Sequence, residues 1–139
     1  MIGGADLFEI TDVNGQICIN LTRNDSCEIT TYPYTDDGSG GELPISLDDG
    51  DVVMFAVASR TGRIYLRKVL TNKDVDAEGY LVLKLSPDDT ADMPASDYVF
   101  SLAYMPDNGA ECYTYVTGIF NLMTAVATVK QLDGGDVGG

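Results

Sequence analysis

The sequence predicts an all-β domain, an antiparallel β-sandwich of immunoglobulin-like or jelly-roll-like type, on three observations. Turn dipeptides recur at Asn14-Gly15, Asp37-Gly38, Asp49-Gly50, Thr61-Gly62, Glu78-Gly79 and Asn108-Gly109. The segments between them are short, rich in β-branched and aromatic residues, and alternate with a period of two. No segment keeps a 3.6-residue period for the length of a helix. Roughly eight such strands bury their inner faces best as two packed antiparallel sheets, with a closed barrel as the rival architecture.

Taken in order, Ile17, Ile19 and Leu21 alternate with Cys18 and Asn20, and Cys27, Ile29 and Thr31 resume the pattern after a polar Asn24-Asp25 bend. Val52 to Ala58 is apolar on both faces, as expected of a central strand covered from two sides. Ile64 to Leu70 follows through Arg60-Thr61-Gly62-Arg63, with Arg67 and Lys68 read as exposed, so the two segments form a hairpin. Tyr80 to Leu85 places Leu81, Leu83 and Leu85 on one face.

One short helical turn, near residues 87–93, interrupts the strands. Ser86 serves as N-cap, Pro87 suits the first helical position, Asp88 and Asp89 favour the positive end, and Pro94 stops the turn. Tyr98, Phe100, Leu102 and Tyr104 then share a face, and Cys112 to Thr117 returns antiparallel after Asn108-Gly109. Ile119 to Leu122 and Ala125 to Val129 supply closing segments. The chain divides into a partly ordered N-terminal segment (1–12), one domain (13–130) and a flexible Gly/Asp-rich tail (131–139).

Composition narrows the function. The 139 residues are 45% apolar, enough for a core without disulfides. A net charge of -14 repels phosphate backbones and anionic lipid, so neither nucleic acid nor membrane is an expected partner. Tyr113 to Val129 is the most apolar stretch, but Thr114, Thr117, Asn121 and Thr124 interrupt it and it is short for a span. The N-terminus lacks the basic flank and apolar run of a signal peptide, which places synthesis in the cytoplasm. Cys18, Cys27 and Cys112 form no C-x-x-C pair and read as reduced, buried thiols; Cys18 and Cys27 pair only if their strands are neighbours.

Histidine is absent, which removes the commonest general base and the usual catalytic triads and zinc sites. The glycine-rich Gly38-Ser39-Gly40-Gly41 lacks the lysine of a phosphate-binding loop and reads as a plain loop. The acids lie mostly in turns, where they favour turn geometry rather than a convergent pair. The chain is therefore expected to be no enzyme and to need no cofactor. Asp48, Asp49 and Asp51 are weak Ca²⁺ candidates, oxygen ligands without EF-hand spacing, against the simpler reading of an acidic turn before Val52. Among eight tyrosines, Tyr113 and Tyr115, on one face, are the first candidates for an interaction surface.

Several motifs run in a recognisable order: Asn14-Gly15-Gln16-Ile17; Leu21-Thr22-Arg23-Asn24-Asp25-Ser26; Leu47-Asp48-Asp49-Gly50-Asp51-Val52-Val53-Met54-Phe55-Ala56-Val57; Leu83-Lys84-Leu85-Ser86-Pro87-Asp88-Asp89-Thr90; and Met93-Pro94-Ala95-Ser96-Asp97-Tyr98-Val99-Phe100. The chain from Asn14 to Val129 resembles small virion structural domains of tailed phages and prophages of Gram-positive bacteria, such as the N-terminal modules of baseplate upper proteins and of head or tail fibres. Asn24 and Ser96 stand where that pattern carries glycine, both at turn positions. The resemblance names no catalytic residue. It implies a non-catalytic assembly component of a virion, with other virion proteins as partners through strand edges and tyrosine-bearing faces. Symmetric repetition favours a homo-oligomer, although no heptad is present. The alternative is a carbohydrate-binding or adhesion module.

Overall fold

Alternating apolar residues and left-handed turns produce eleven strands among the described residues: β1 (Ile2–Gly4), β2 (Glu9–Val13), β3 (Gln16–Thr22), β4 (Cys27–Thr31), β5 (Tyr34–Asp36), β6 (Glu42–Pro44), β7 (Val52–Ala58), β8 (Ile64–Leu70), β9 (Leu81–Leu85), β10 (Ser96–Met105) and β11 (Tyr113–Met123). A single helical turn, α1 (Pro87–Thr90), and a 3₁₀ turn at Asn72–Asp74 complete the set. The structure, a computed structural model, describes residues 2–4, 9–13, 16–36, 38–39, 41–107 and 109–124. The closing segment expected at Ala125 to Val129, the tail at 131–139 and the Asn14-Gly15 turn lie outside them, as do Asp37 and Asn108 of two further turns.

The fold is all-β, as expected, but its pairing is mixed rather than purely antiparallel. Six strands lie in the order β2-β3-β11-β10-β7-β8, three in the order β1-β4-β9, and β5 and β6 form a separate two-stranded arm. Within the large sheet β3 runs parallel to β11, with Ile17 opposite Gly118 and Leu21 opposite Leu122. A parallel neighbour needs a long crossover, and here everything from β4 to β10 is that crossover. Both predicted hairpins form, β7 with β8 and β10 with β11. The segment from Ile119 to Leu122, expected as a separate strand, continues β11 without a break.

The inner faces of both sheets feed one core. Ile19, Leu21, Phe55, Val57, Phe100, Leu102, Phe120 and Leu122 of the large sheet share it with Cys27, Ile29, Leu81, Leu83 and Leu85 of the small one. Each such side chain contributes about 1.5–3 kcal/mol by leaving water. The strand β7 is interior to its sheet, next to edge strand β8, but is covered on one face only. Val53, Phe55 and Val57 are fully buried, whereas Val52, Met54, Ala56 and Ala58 are half-buried on the other side. Its doubly apolar sequence thus reflects small and flexible residues on an outer face, not a second covering layer.

The helical turn begins at Pro87, as expected, and ends at Thr90, short of residue 93. Ser86 N donates to Asp89 Oδ2 at 2.8 Å, closing the first turn, and Pro87 starts it. Lys68, expected to be exposed, is half-buried and reaches Asp89 Oδ1 at 2.9 Å, tying α1 to edge strand β8. The cysteines are all free. Cys18 and Cys27 lie in different sheets, which rules out the neighbouring-strand pairing, and Cys112 is exposed rather than buried.

Asn24 carries the one left-handed backbone outside glycine among the described residues, with φ of 72°. Its amide donates to Thr90 Oγ1 at 2.9 Å, and Thr90 is fully buried at the end of α1. The Leu-Thr-Arg-Asn-Asp bend and the Ser-Pro-Asp-Asp-Thr turn, distant in sequence, are therefore joined by one hydrogen bond. The φ explains why glycine or asparagine suits this position. We expect Asn24→Gly to leave urea unfolding nearly unchanged and Asn24→Val to cost about 1–2 kcal/mol, since a β-branched side chain opposes the left-handed region.

Candidate functional site

The end of the molecule where β10 finishes and β11 begins concentrates the chain's aromatic residues. A β-bulge puts them there. Leu102 pairs with Val116 and the next residue, Ala103, pairs with Thr114, which leaves Tyr115 as the extra residue. Strict alternation along β11 would put Tyr115 and Tyr113 on the face opposite Val116 and Phe120. The inserted residue reverses that parity and turns both tyrosines towards the small sheet.

Tyr115 consequently reaches across to β4, where its hydroxyl shares a 3.0 Å hydrogen bond with Oγ1 of the fully buried Thr31. Its ring meets Tyr34 edge-on at 5.6 Å. Tyr34 in turn contacts Tyr32 at 6.1 Å, and Tyr32 contacts Tyr80 at 5.7 Å. Tyr113, 52% exposed, stacks on Tyr104 at 6.3 Å with an interplanar angle of 23°. Six of the eight tyrosines thus form one end of the domain, and Pro33, Tyr34, Thr35, Ile45, Tyr104, Tyr113 and Tyr115 enclose a cavity of about 110 Å³. A second bulge, at Val57/Ala58, does the same for Tyr65, which meets Tyr98 edge-on at 5.2 Å elsewhere in the fold.

Carboxylates hold the phenols. Tyr32 donates to Glu42 Oε1 at 2.9 Å, Tyr104 to Asp51 Oδ2 at 3.3 Å, and Tyr113 to Glu111. The accepted hydrogen bond with Glu42 raises the Tyr32 pKa, and that with Glu111 raises the Tyr113 pKa; burial, followed by the Asp51 charge, raises that of Tyr104. Burial pushes the Tyr115 hydroxyl furthest, up to about 12. All of these groups are neutral rings at physiological pH, each phenol oriented by a negative or hydroxyl partner.

The Tyr115 shift sets an alkaline limit on the site. The folded hydroxyl keeps its proton up to about 12 while the unfolded one releases it near 10. The stabilisation is therefore complete below about pH 10 and disappears as pH rises towards about 12, amounting to roughly 2–3 kcal/mol. Ultraviolet titration of the phenolates should show one tyrosine ionising late in the native protein. Tyr115→Phe should remove that late step.

Of the three acids that are candidates for Ca²⁺, Asp51 holds the turn before β7. Asp51, buried, accepts from the Asp48 amide at 2.9 Å through one oxygen and from the Asp107 amide at 2.9 Å through the other. These two amides, with Tyr104, hold its carboxyl below the usual aspartate range despite burial. Asp49 accepts instead from Asn72 at 2.6 Å. No group of three acids, cysteines or histidines converges among the described residues. With a depressed folded pKa, Asp51 contributes stability that is present above the unfolded value near 4 and is lost as pH falls through the folded one. Asp51→Asn should flatten the acid limb of a stability profile below about pH 4.

Sequence reasoning singled out Tyr113 and Tyr115, and both line the cavity. It did not single out Tyr34, Tyr104 and Ile45, which complete the walls, nor Glu111. In the sequence Tyr104 shares the apolar face of β10 with Tyr98, Phe100 and Leu102, and the others come from segments with no period. The β5–β6 arm, which carries Tyr34, lies between turn-rich residues that gave no strand signal. Among the described residues no helix is long and apolar enough to cross a membrane. In comparison with known proteins, the chain matches no family model and no curated protein.

Proposed function

We propose that this chain is a non-catalytic assembly module of a phage or prophage virion, an immunoglobulin-like sandwich that docks on a neighbouring virion protein through its tyrosine-bearing end. The sandwich reading is supported by strand order. A small β1-β4-β9 sheet shares its core with the β2-β3-β11-β10-β7-β8 sheet, and α1 lies on the crossing from β9 to β10. Just beyond that crossing, the Tyr98 hydroxyl donates to the carbonyl of Pro94, four residues upstream. A tyrosine bonding back to the backbone at the start of this strand is a recurrent device of immunoglobulin-like domains.

The observation that carries the assembly role is the tyrosine end itself. Tyrosine supplies large contact area at low entropic cost and is enriched at protein interfaces. A bulge that aims two tyrosines at one end, leaving Tyr113 half exposed, concentrates such area in one place. The hydrogen bond between the Asn24 bend and Thr90 also gives the two motifs behind the virion resemblance a shared structural purpose. Because stacking on a sugar ring also uses an exposed tyrosine face, the adhesion reading is the second one. Specific glycan-array binding lost in Tyr113→Ala would favour it.

The assembly reading is tested by mass spectrometry of purified particles together with the genes that flank this one. The chain should be present at a stoichiometric level, beside portal, capsid, tail or lysis genes. Absence from particles, or neighbours of none of those kinds, would remove the virion role.

A further inference from the structure

Resting on that docking role, we propose that the cavity among Tyr34, Tyr104, Tyr113 and Tyr115 receives the guanidinium of an arginine from the partner protein. Its volume of about 110 Å³ admits a single side-chain head. Apart from Thr35 the walls are aromatic and aliphatic, and no basic residue lines them.

The chemistry of the rim selects a cation. A ring face attracts positive charge through its quadrupole, and a phenol that donates its proton to a carboxylate carries more negative charge on that face. Tyr104 and Tyr113 each do so, to Asp51 and Glu111. The hydroxyls of Tyr104, Tyr113 and Tyr115 are already engaged, with Asp51, Glu111 and Thr31, so they offer little to an anion or to sugar hydroxyls. A chain charge of -14 adds a long-range pull in the same direction.

Arginine fits better than lysine because the guanidinium is planar, stacks on tyrosine rings, and sheds water more readily. The fold already makes this pairing once, with the Arg63 guanidinium 4.7 Å above the Tyr65 ring.

The test is a titration of the isotope-labelled chain, followed by amide NMR shifts, with N-acetyl-arginine amide and, in parallel, the citrulline, lysine and trimethyllysine analogues. The arginine probe should shift residues around Tyr104, Tyr113 and Tyr115 with millimolar affinity. Tyr113→Ala should weaken it about tenfold, Glu111→Gln less, and Tyr113→Phe least. Because Tyr113 is exposed, its variants should retain the native spectrum elsewhere. Equal binding of citrulline, tighter binding of either lysine analogue, or no localised shift would overturn the assignment. If the chain is found in particles while the arginine probe fails, the cavity inference falls alone and the docking role stands.

Discussion

Gly118→Ala is expected to destabilise the protein by about 3 kcal/mol or more, lowering its melting temperature by roughly 10 °C. Gly118 lies where β11 meets β3 in parallel and Phe100 of β10 on its other side. A Cβ there would collide with the Ile17 carbonyl and come within 2.8 Å of Phe100 Cε1. The first obstacle is backbone, so it cannot rotate away; relief requires prising β3 from β11. Gly62, in the β7–β8 turn, supplies the control, because its φ is +96° but nothing lies within 4 Å of an added Cβ. Gly62→Ala should therefore cost only the left-handed strain, about 1–2 kcal/mol. Chemical denaturation of both variants checks the difference, and equal costs would mean that the close approach at Gly118 is not what fixes the residue.

Phe55→Ala is the other large effect, about 3–5 kcal/mol. The ring is fully buried on interior strand β7, 5.9 Å from Phe100 and 6.3 Å from Phe120 by centroids. Those three rings come from three different strands of the large sheet and face the leucines of β9 across the core. Rigid strands on both sides of β7 limit collapse into the space left behind, so the cavity term adds to the lost transfer energy. Measured against a typical domain stability of about 5–15 kcal/mol, the variant should unfold at markedly lower denaturant and be largely unfolded if the native margin is small. Phe55→Leu, which refills part of the volume, should recover more than half of the loss.

What could be read from the sequence was local. The turn at Thr61-Gly62, the Ser86-Pro87 cap and the period-two leucines of β9 each determine their element through a few adjacent residues, and each is present. Features that depend on distant pairing were not legible. Nothing near Ile17 or Gly118 announces that their strands run parallel, because parallel register is set by the crossover between them. Strands β1 and β2 lie in a segment without clear alternation, and their hydrogen bonds come from partners on β4 and β3.

The tyrosine site shows the same limit in sharper form. Composition announced the tyrosines, and the shared face of Tyr113 and Tyr115 is a two-residue spacing. The bulge that decides which face they take is a one-residue shift in pairing with Leu102, invisible without the partner strand. Tyr34 and Ile45 enter the cavity from the irregular segment around the β5–β6 arm, held by the Ile45 amide donating to the Pro33 carbonyl at 2.8 Å. A site assembled from a bulge, a hairpin end and an irregular segment belongs to no single stretch of sequence.

The proposed docking of the tyrosine-bearing end on a virion protein is put to the test by particle incorporation of Tyr113→Arg. The residue is exposed and outside the core, so the variant should fold and melt as the parent does. A positive charge in place of the ring at the cavity mouth should then exclude it from particles while the parent chain is retained. Incorporation of the folded variant at the parent level would contradict the account.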